Sequence, residues 1–413
     1  MKRVGVIGGG AAGLMAAYAA GLKGHQVTLI EKNEKLGKKI YITGKGRCNF
    51  TNDVSPEEFL QNVVRGERFL RGAIYSFPPQ KSIEFFENNG LSVKIERGNR
   101  AFPVSDHASD VTKTLEKACK SVGVTILLNE KVTNITYTTR DIITMCDIVQ
   151  VKTDKNSYLF DVVIVATGGI SYPSTGSTGD GYTFAKNTGH KVTDLKTGLC
   201  GVNLEGSVHA SLQGLALKNV VFSIKNGQKT VFNEMGELLF THFGISGPLV
   251  LTASSLINRL PVSSLQAVID LKPALDEQTL DKRLLRDFEK YKNKQISNAL
   301  CELLPQKLIA SVLLLAGIPE KKNVNVLTKA ERVQIVYILK NFPVKIKSLR
   351  GFEEAIITSG GIDLSEINPK TMASKKIPAL KFCGEVLDVD AFTGGFNMQI
   401  AFSTGFAAGN TIE

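Results

Sequence analysis

The chain has 413 residues, 43% of them apolar and 22% charged, with a formal net charge of +11. That length exceeds what one hydrophobic core serves, so two or three domains are expected, and the ordinary composition excludes long disorder. No apolar run approaches the roughly 20 residues of a membrane helix, no signal peptide precedes the first glycine turn, and the six scattered cysteines form no C-x-x-C pair, so the expectation is a reduced cytoplasmic protein without a zinc site, disulfide framework or membrane anchor.

In chain order, Lys2–Ile7 reads as a buried strand, Ala11–Lys23 as a helix and Gln26–Glu31 as a second strand, which together make a βαβ opening. A glycine-rich loop runs from Lys35 to Asn52. Ser55-Pro56-Glu57-Glu58 has the pattern of a helix start, and Pro79–Asn89 and Ser109–Ser121 read as amphipathic helices. Thr125–Leu128, Lys131–Tyr137 and Ile143–Thr153 alternate as strands, and Asp161–Ala166 is a fully apolar strand of the parallel-sheet kind. Beyond Leu195 the pattern changes to short alternating strands at Val220–Lys225, Lys229–Asn233, Glu237–Thr241 and Leu265–Leu271, an antiparallel sheet or barrel with a turn at Asn226-Gly227. Asp276–Lys340 is helical and basic. Between Asp276 and Arg350 stand 15 Lys/Arg against 8 Asp/Glu, either a solvated helical face or a footprint for polyphosphate. Glu354–Thr358 and Lys381–Phe382 resume strand character, and Gln399–Gly409 is a small-residue helix.

This order predicts an α/β chain with a Rossmann-like nucleotide-binding domain split by an insertion. Residues 1–194 form its first part, 195–275 an inserted antiparallel β domain, 276–350 a basic helical subdomain, and 351–413 its second part.

Three glycine clusters carry the chemistry. Gly8-Gly9-Gly10-Ala11-Ala12-Gly13 is a G-x-G-x-x-G between strand and helix. Gly8 allows the turn, Gly10 lets the backbone approach a diphosphate, and Gly13 lets the helix pack on the strand, while the amides of Ala11 and Ala12 point at the phosphates. Glu31, with Lys32 beside it, ends the second strand where a ribose hydroxyl is expected. The motif alone does not separate NAD from FAD. The loop that follows does, because an extended FAD needs an escort toward its ring: Gly37, Lys38, Gly44, Gly46, Arg47, Cys48 and Asn49 are assigned to it. Cys48 has no partner five residues on, where Asp53 stands, so a redox disulfide is excluded. It is either a proton donor beside the flavin or a small packed residue.

The second cluster, Ala166-Thr167-Gly168-Gly169, brings a strand end close to the cofactor, and Asp180 further on is read as a helix cap. The third is Gly384-Glu385, which can bond ribityl hydroxyls, followed by Gly395-Phe396-Asn397-Met398-Gln399. There a helix starting after Asn397 would direct its positive end at the flavin ring. Val132, opening a predicted strand, completes the cofactor set.

Taken together, Ile7–Gly13, Gly44–Asn52, Gly168–Gly181, Thr241-His242-Phe243-Gly244-Ile245-Ser246-Gly247-Pro248, Thr358-Ser359-Gly360-Gly361 and Gly384–Gln399 resemble the bacterial BaiN/RdsA-type FAD-dependent oxidoreductases, the rRNA dihydrouridine synthase-like flavoproteins. One departure is Lys45, where many members carry glycine. The resemblance implies an FAD domain of the glutathione-reductase type with an inserted barrel and helical region. It also implies one of three activities: reduction of uracil to dihydrouridine in 23S ribosomal RNA, reduction of conjugated enones in bile-acid-like molecules, or oxidation of small amines. Ribosomal RNA is the leading partner, a small molecule the rival, and a non-catalytic flavoprotein the third reading. Cys48 and His242 are the side chains to test for proton delivery, and Ser246 looks like a helix cap. No second G-x-G-x-x-G unit is present, so NADH or NADPH, if it is the reductant, docks only transiently.

Overall fold

Apolar runs flanked by glycine turns pair into the central sheet of a computed structural model, which describes residues 1–138, 148–206 and 208–413. The chain divides into two units, Met1–Gly198 with Phe352–Glu413, and Leu199–Gly351. In the first, β1 (Arg3–Ile7), β2 (Gln26–Ile30), β3 (Thr125–Leu127), β4 (Val162–Val165) and β5 (Leu380–Phe382) form a parallel sheet in the order β5-β4-β1-β2-β3. Val4, Val6, Leu29 and Val163–Val165 are buried, as strands covered on both faces must be.

Two helices open on glycine turns beside this sheet, α1 (Ala11–Leu22) and α2 (Phe396–Asn410). Small residues meet between them, so their backbones pack in direct contact. A Cβ on Gly405 would lie 2.3 Å from Ala12 O, and one on Gly409 2.3 Å from Ala16 O. Aromatic rings fill the space alongside, with Phe50 and Phe86 at 4.6 Å and Phe86 and Phe402 at 5.6 Å between centroids.

The second unit is a seven-stranded antiparallel sheet. Its order is Phe342–Val344, Leu265–Asp270, Ala216–Asn226, Lys229–Phe240, Gly244–Ser246, Val202–Leu204 and Ile346–Leu349. The two edge strands are consecutive in the chain and separated only by Lys345, so the sheet curls toward closure. Helices Pro248–Ile257, Glu277–Lys290, Gln306–Ala316 and Lys329–Lys340 share one apolar core with this sheet, where the sequence reading placed two separate regions. Leu280, Leu284 and Phe288 recur at helical spacing on the buried face of Glu277–Lys290, which Asp276 caps by accepting from the Thr279 N–H at 2.7 Å. Among the described residues no helix is long and apolar enough to cross a membrane.

Several elements differ from expectation. Lys229–Asn233 and Glu237–Thr241 are one strand, because Gly236 between them keeps extended geometry opposite Val220. In place of the expected strand Glu354–Thr358 stands Ile357–Ser359. The helix Glu67–Ser76 and the strand Ser157–Phe160 went unread. The expected strand Ile143–Thr153 is seen as Ile148–Thr153, its remainder lying outside the described residues together with Cys146. Asp180 and Ser246 are not caps. Gly179 and Gly247 occupy the cap positions, and Asp180 stands in the first helical turn bonded to Lys32.

Candidate functional site

The first glycine turn is crowded on one side and open on the other. Gly8 has φ +104°, its N–H donates to Ile30 O at 2.9 Å, and a Cβ there would strike Ala166 O at 2.6 Å. Gly13 is tighter, its hypothetical Cβ 1.9 Å from Gly8 O. Gly10 is the reverse, because a Cβ on it would meet nothing within 4 Å. The first amides of α1, those of Ala11 and Ala12, have no acceptor inside the helix and present partial positive charge there.

Glu31 is buried at the tip of β2, where Oε2 accepts from the Gly9 N–H at 2.7 Å and Oε1 from the Asn33 backbone and side-chain amides at 2.8 and 2.6 Å. Its carboxylate therefore shapes the turn. Lys32 is committed to Asp180 at 2.6 Å and Lys38 to Glu34 at 2.7 Å. Gly37 docks the long loop onto the turn by donating its N–H to Gly9 O at 2.8 Å.

In the loop, Gly44, Lys45, Gly46 and Cys48 all have positive φ, at 57°, 59°, 87° and 60°. The position occupied by Lys45 thus has the left-handed backbone that glycine favours. Arg47 lies over the Phe102 ring at 4.3 Å and pairs with Glu96 and Asp106. Cys48 is fully enclosed, and burial pushes its thiol up to about 12. The thiol faces no open space, which is the geometry of the packed residue and not that of an exposed proton donor. Asn49 Oδ1 is buried without a partner, 2.9 Å from where a Cβ on Gly395 would stand. A buried acceptor left open beside a glycine turn is a place for a bound group's donor.

The strand ends β4 and β5 bring up the remaining residues. Ala166 O presses on Gly8, Thr167 Oγ1 is buried without a partner, and Gly168 has φ +72°. Gly384, at φ +76°, packs against the Ala12 methyl, so the third cluster meets the first directly. Glu385 is held from three other segments. Oε1 accepts from the Thr358 N–H at 2.8 Å and from Ser171 Oγ at 3.0 Å, and Lys39 Nζ donates to Oε2 at 2.8 Å. Lys39, Ser171 and Thr358 are absent from the cofactor set read from sequence. In a Lys38-Lys39 pair nothing local indicates which ammonium turns inward.

Helix α2 starts at Phe396, one residue before Asn397, with Gly395 as its cap at φ +96°. The side chain of Asn397 is a turn staple, accepting from the Ala391 N–H and donating to Ala391 O and Phe392 O. Gln399 is buried, its Nε2 donating to Phe77 O and Ser403 Oγ and its Oε1 accepting from Thr51 Oγ1, so its side chain ties the helix to the fold. The first-turn amides of this segment, up to Met398, have no acceptor inside the helix. Val132 is buried at the head of its strand opposite Thr153. His242 belongs to the other unit, exposed at a turn, with its ring edge-on to Phe243 at 5.1 Å.

Open room at Gly10, unpaired helix-start amides, a buried ribose-end carboxylate and an orphaned Asn49 oxygen fit an extended dinucleotide. Comparison with known proteins agrees. The profile of the family described as "HI0933-like protein Rossmann domain" matches residues 2–411. A 3-dehydro-bile acid delta(4,6)-reductase of Clostridium scindens is 30% identical over 99% of this chain and 98% of its own length. A ribosomal RNA dihydrouridine synthase of Escherichia coli is 31% identical over 97% of this chain and 96% of its own. Among solved structures, the 3-ketosteroid delta1-dehydrogenase of Sterolibacterium denitrificans shares the fold, at a TM-score of 0.54 and 13% identity over 99% of this chain and 98% of that one. The chain belongs to the HI0933-like Rossmann family and is an FAD-dependent oxidoreductase.

Proposed function

We propose that this chain reduces a carbon–carbon double bond conjugated to a carbonyl, with uridine in 23S ribosomal RNA as the acceptor. The observation that carries the chemistry is the pair of full-length relatives. Their names describe different molecules but the same change, hydrogen added across a C=C that neighbours a C=O. The RNA acceptor is favoured by charge. Leu199–Gly351 holds twenty Lys/Arg against twelve Asp/Glu, so eight of the net +11 lie in this unit. Lys282, Lys294, Lys321 and Lys329 are exposed there. Such a surplus draws polyphosphate, and the target base must leave its stack to be reduced.

Bound FAD supplies hydride transfer. Gly8–Gly13 and the first amides of α1 would hold its diphosphate, Glu31 its ribose, and Asn49, the Gly384-Glu385 turn and the Phe396–Met398 amides its ribityl and ring end. Lys39, Ser171 and Thr358 orient Glu385. NADH or NADPH is the proposed reductant, docking transiently, and stopped-flow reduction of the bound flavin tests it; reduction by neither removes it from the scheme. Dihydrouridine in 23S rRNA should fall in cells lacking the protein, and unchanged levels would reject the RNA acceptor. The relative acting on a bile acid, at nearly equal identity, favours a second reading, a small-molecule enone reductase. That reading requires turnover of a free enone without RNA.

A further inference from the structure

The backbone after Asn49 runs into Thr51 and Asn52, which pair with Ala101 and Arg100 on a hairpin of Val93–Glu96 and Arg100–Pro103. The tip of this hairpin is pinned beside the glycine turn that opens α2. Asn52 Nδ2 donates to Gly98 O and to Gly394 O, both at 3.0 Å, and the Asp53 N–H donates to Asn99 O at 2.6 Å. Phe102 is buried on the hairpin, its ring centroid 4.3 Å from the Arg47 guanidinium and 5.8 Å from that of Arg100. A Cβ on Gly44 would lie 3.4 Å from the same ring, which brings Lys45, the next residue, to this place as well. Arg100 Nε donates to Arg97 O at 3.0 Å and so ties the two tip arginines together.

The acids near this tip are already engaged. Glu96 and Asp106 are paired with Arg47 and Lys94, and Asp53 Oδ1 accepts from Gln80 Nε2 at 3.1 Å. Lys45, Arg97 and Arg100 are exposed, and none of them meets a carboxylate among the described residues. All three belong to the same unit as the glycine turns. We propose that Lys45, Arg97 and Arg100 form a seat for the phosphates of a single RNA strand, beside the turn assigned above to the flavin's ring end. The inference rests on the RNA acceptor proposed above and names the residues that hold the strand flanking the target nucleotide. A base lifted from its stack leaves the phosphates on either side of it to be held by the protein. The arginine fork matches phosphate oxygens two at a time, and a lysine adds a compact charge. Three cations on one rim suit a polyanion better than the lone carboxylate of a bile acid. Lys45 keeps a left-handed backbone at φ 59° that glycine would adopt without strain, so its ammonium answers to something other than the local fold.

The test uses flavin-loaded wild type, Arg97→Gln, Arg100→Gln, Lys45→Gly, the triple variant and Lys23→Gln, with an unmodified 23S rRNA transcript as the probe. Lys23 is exposed at the end of α1 away from the glycine turn, so its variant controls for loss of charge alone. Binding is measured by filter retention from about 50 to 200 mM salt. Each substitution in the seat should lower the slope of log affinity against log salt by about 0.7, the value of one phosphate contact on a single strand, and the triple variant should bind about tenfold or more weakly. Lys23→Gln should keep the wild-type slope. In turnover of the transcript the loss should fall on KM, and no variant should lose bound flavin or thermal stability. Wild-type slope and affinity in the triple variant, or a Lys23→Gln variant as weak as those of the seat, overturns the seat and leaves the proposed reaction standing. A wild type that fails to reduce the transcript, whether or not it reduces a 3-keto-4-ene bile acid, overturns the RNA acceptor and the seat with it.

Discussion

The two glycine turns that open α1 and α2 use the same residue for opposite reasons. At Gly10 there is nothing within 4 Å of where a side chain would begin, whereas at Gly395 a Cβ would lie 2.4 Å from Thr51 O with φ at +96°. One turn leaves open the space that a side chain would take. At the other the place of a side chain is already taken by Thr51, so that glycine answers to packing. A glycine motif therefore mixes positions that answer to a ligand with positions that answer to packing, and only the surroundings separate them.

Substitutions can break this contrast. The largest effect is expected at Gly13→Val, whose side chain would overlap the Gly8 carbonyl and separate α1 from β1; loss of about 4 kcal/mol or more, read as failure to give soluble folded protein, is expected. Gly395→Ala should cost about 2–3 kcal/mol in chemical denaturation, through left-handed strain and collision with Thr51. Gly10→Ala should leave stability within about 0.5 kcal/mol yet weaken FAD binding by tenfold or more, measured by flavin fluorescence. Equal FAD affinity in Gly10→Ala would remove the distinction between the two turns.

At the far end of α2, Lys381 is buried and donates to Ala408 O and Thr411 Oγ1, and burial lowers its pKa from 10.5 to about 8. Between those values the unfolded chain binds more protons than the folded one, so stability rises with pH across that window, by up to ~3 kcal/mol from this group. Lys381→Met should flatten that rise in denaturation measured from pH 7.5 to 10.5. The smallest effect is expected at Lys45→Gly, which relieves a left-handed residue but adds chain entropy, a net gain under about 1 kcal/mol in thermal unfolding.

What the sequence made legible follows from where the determining forces act. The βαβ opening, the capped helix after Ser55, the split domain and the outer helices were readable because periodicity and caps are local. The Ser55–Glu58 capping box is complete. Gly8 and Gly13 were readable for the same reason, since strand–turn–helix geometry fixes their neighbours. The roles of Gln399, Asn397 and Glu385 were not, because their partners at Phe77, Ala391 and Lys39 are set by tertiary packing. Cys48 shows the limit most clearly. Its type suggested chemistry, and only burial revealed a thiol enclosed by protein.

Each unit keeps the two ends of its interruption side by side. Lys196–Gly198 pairs with Ile357–Ser359 in one, and Arg350 bonds Gly201 in the other. A polypeptide loop entered and left at adjacent points closes at an entropic cost that grows only slowly with its length. The insertion is in this sense a cassette. Because it leaves and rejoins the first unit beside one pair of strands, a segment of similar footprint fits there without re-threading the parallel sheet.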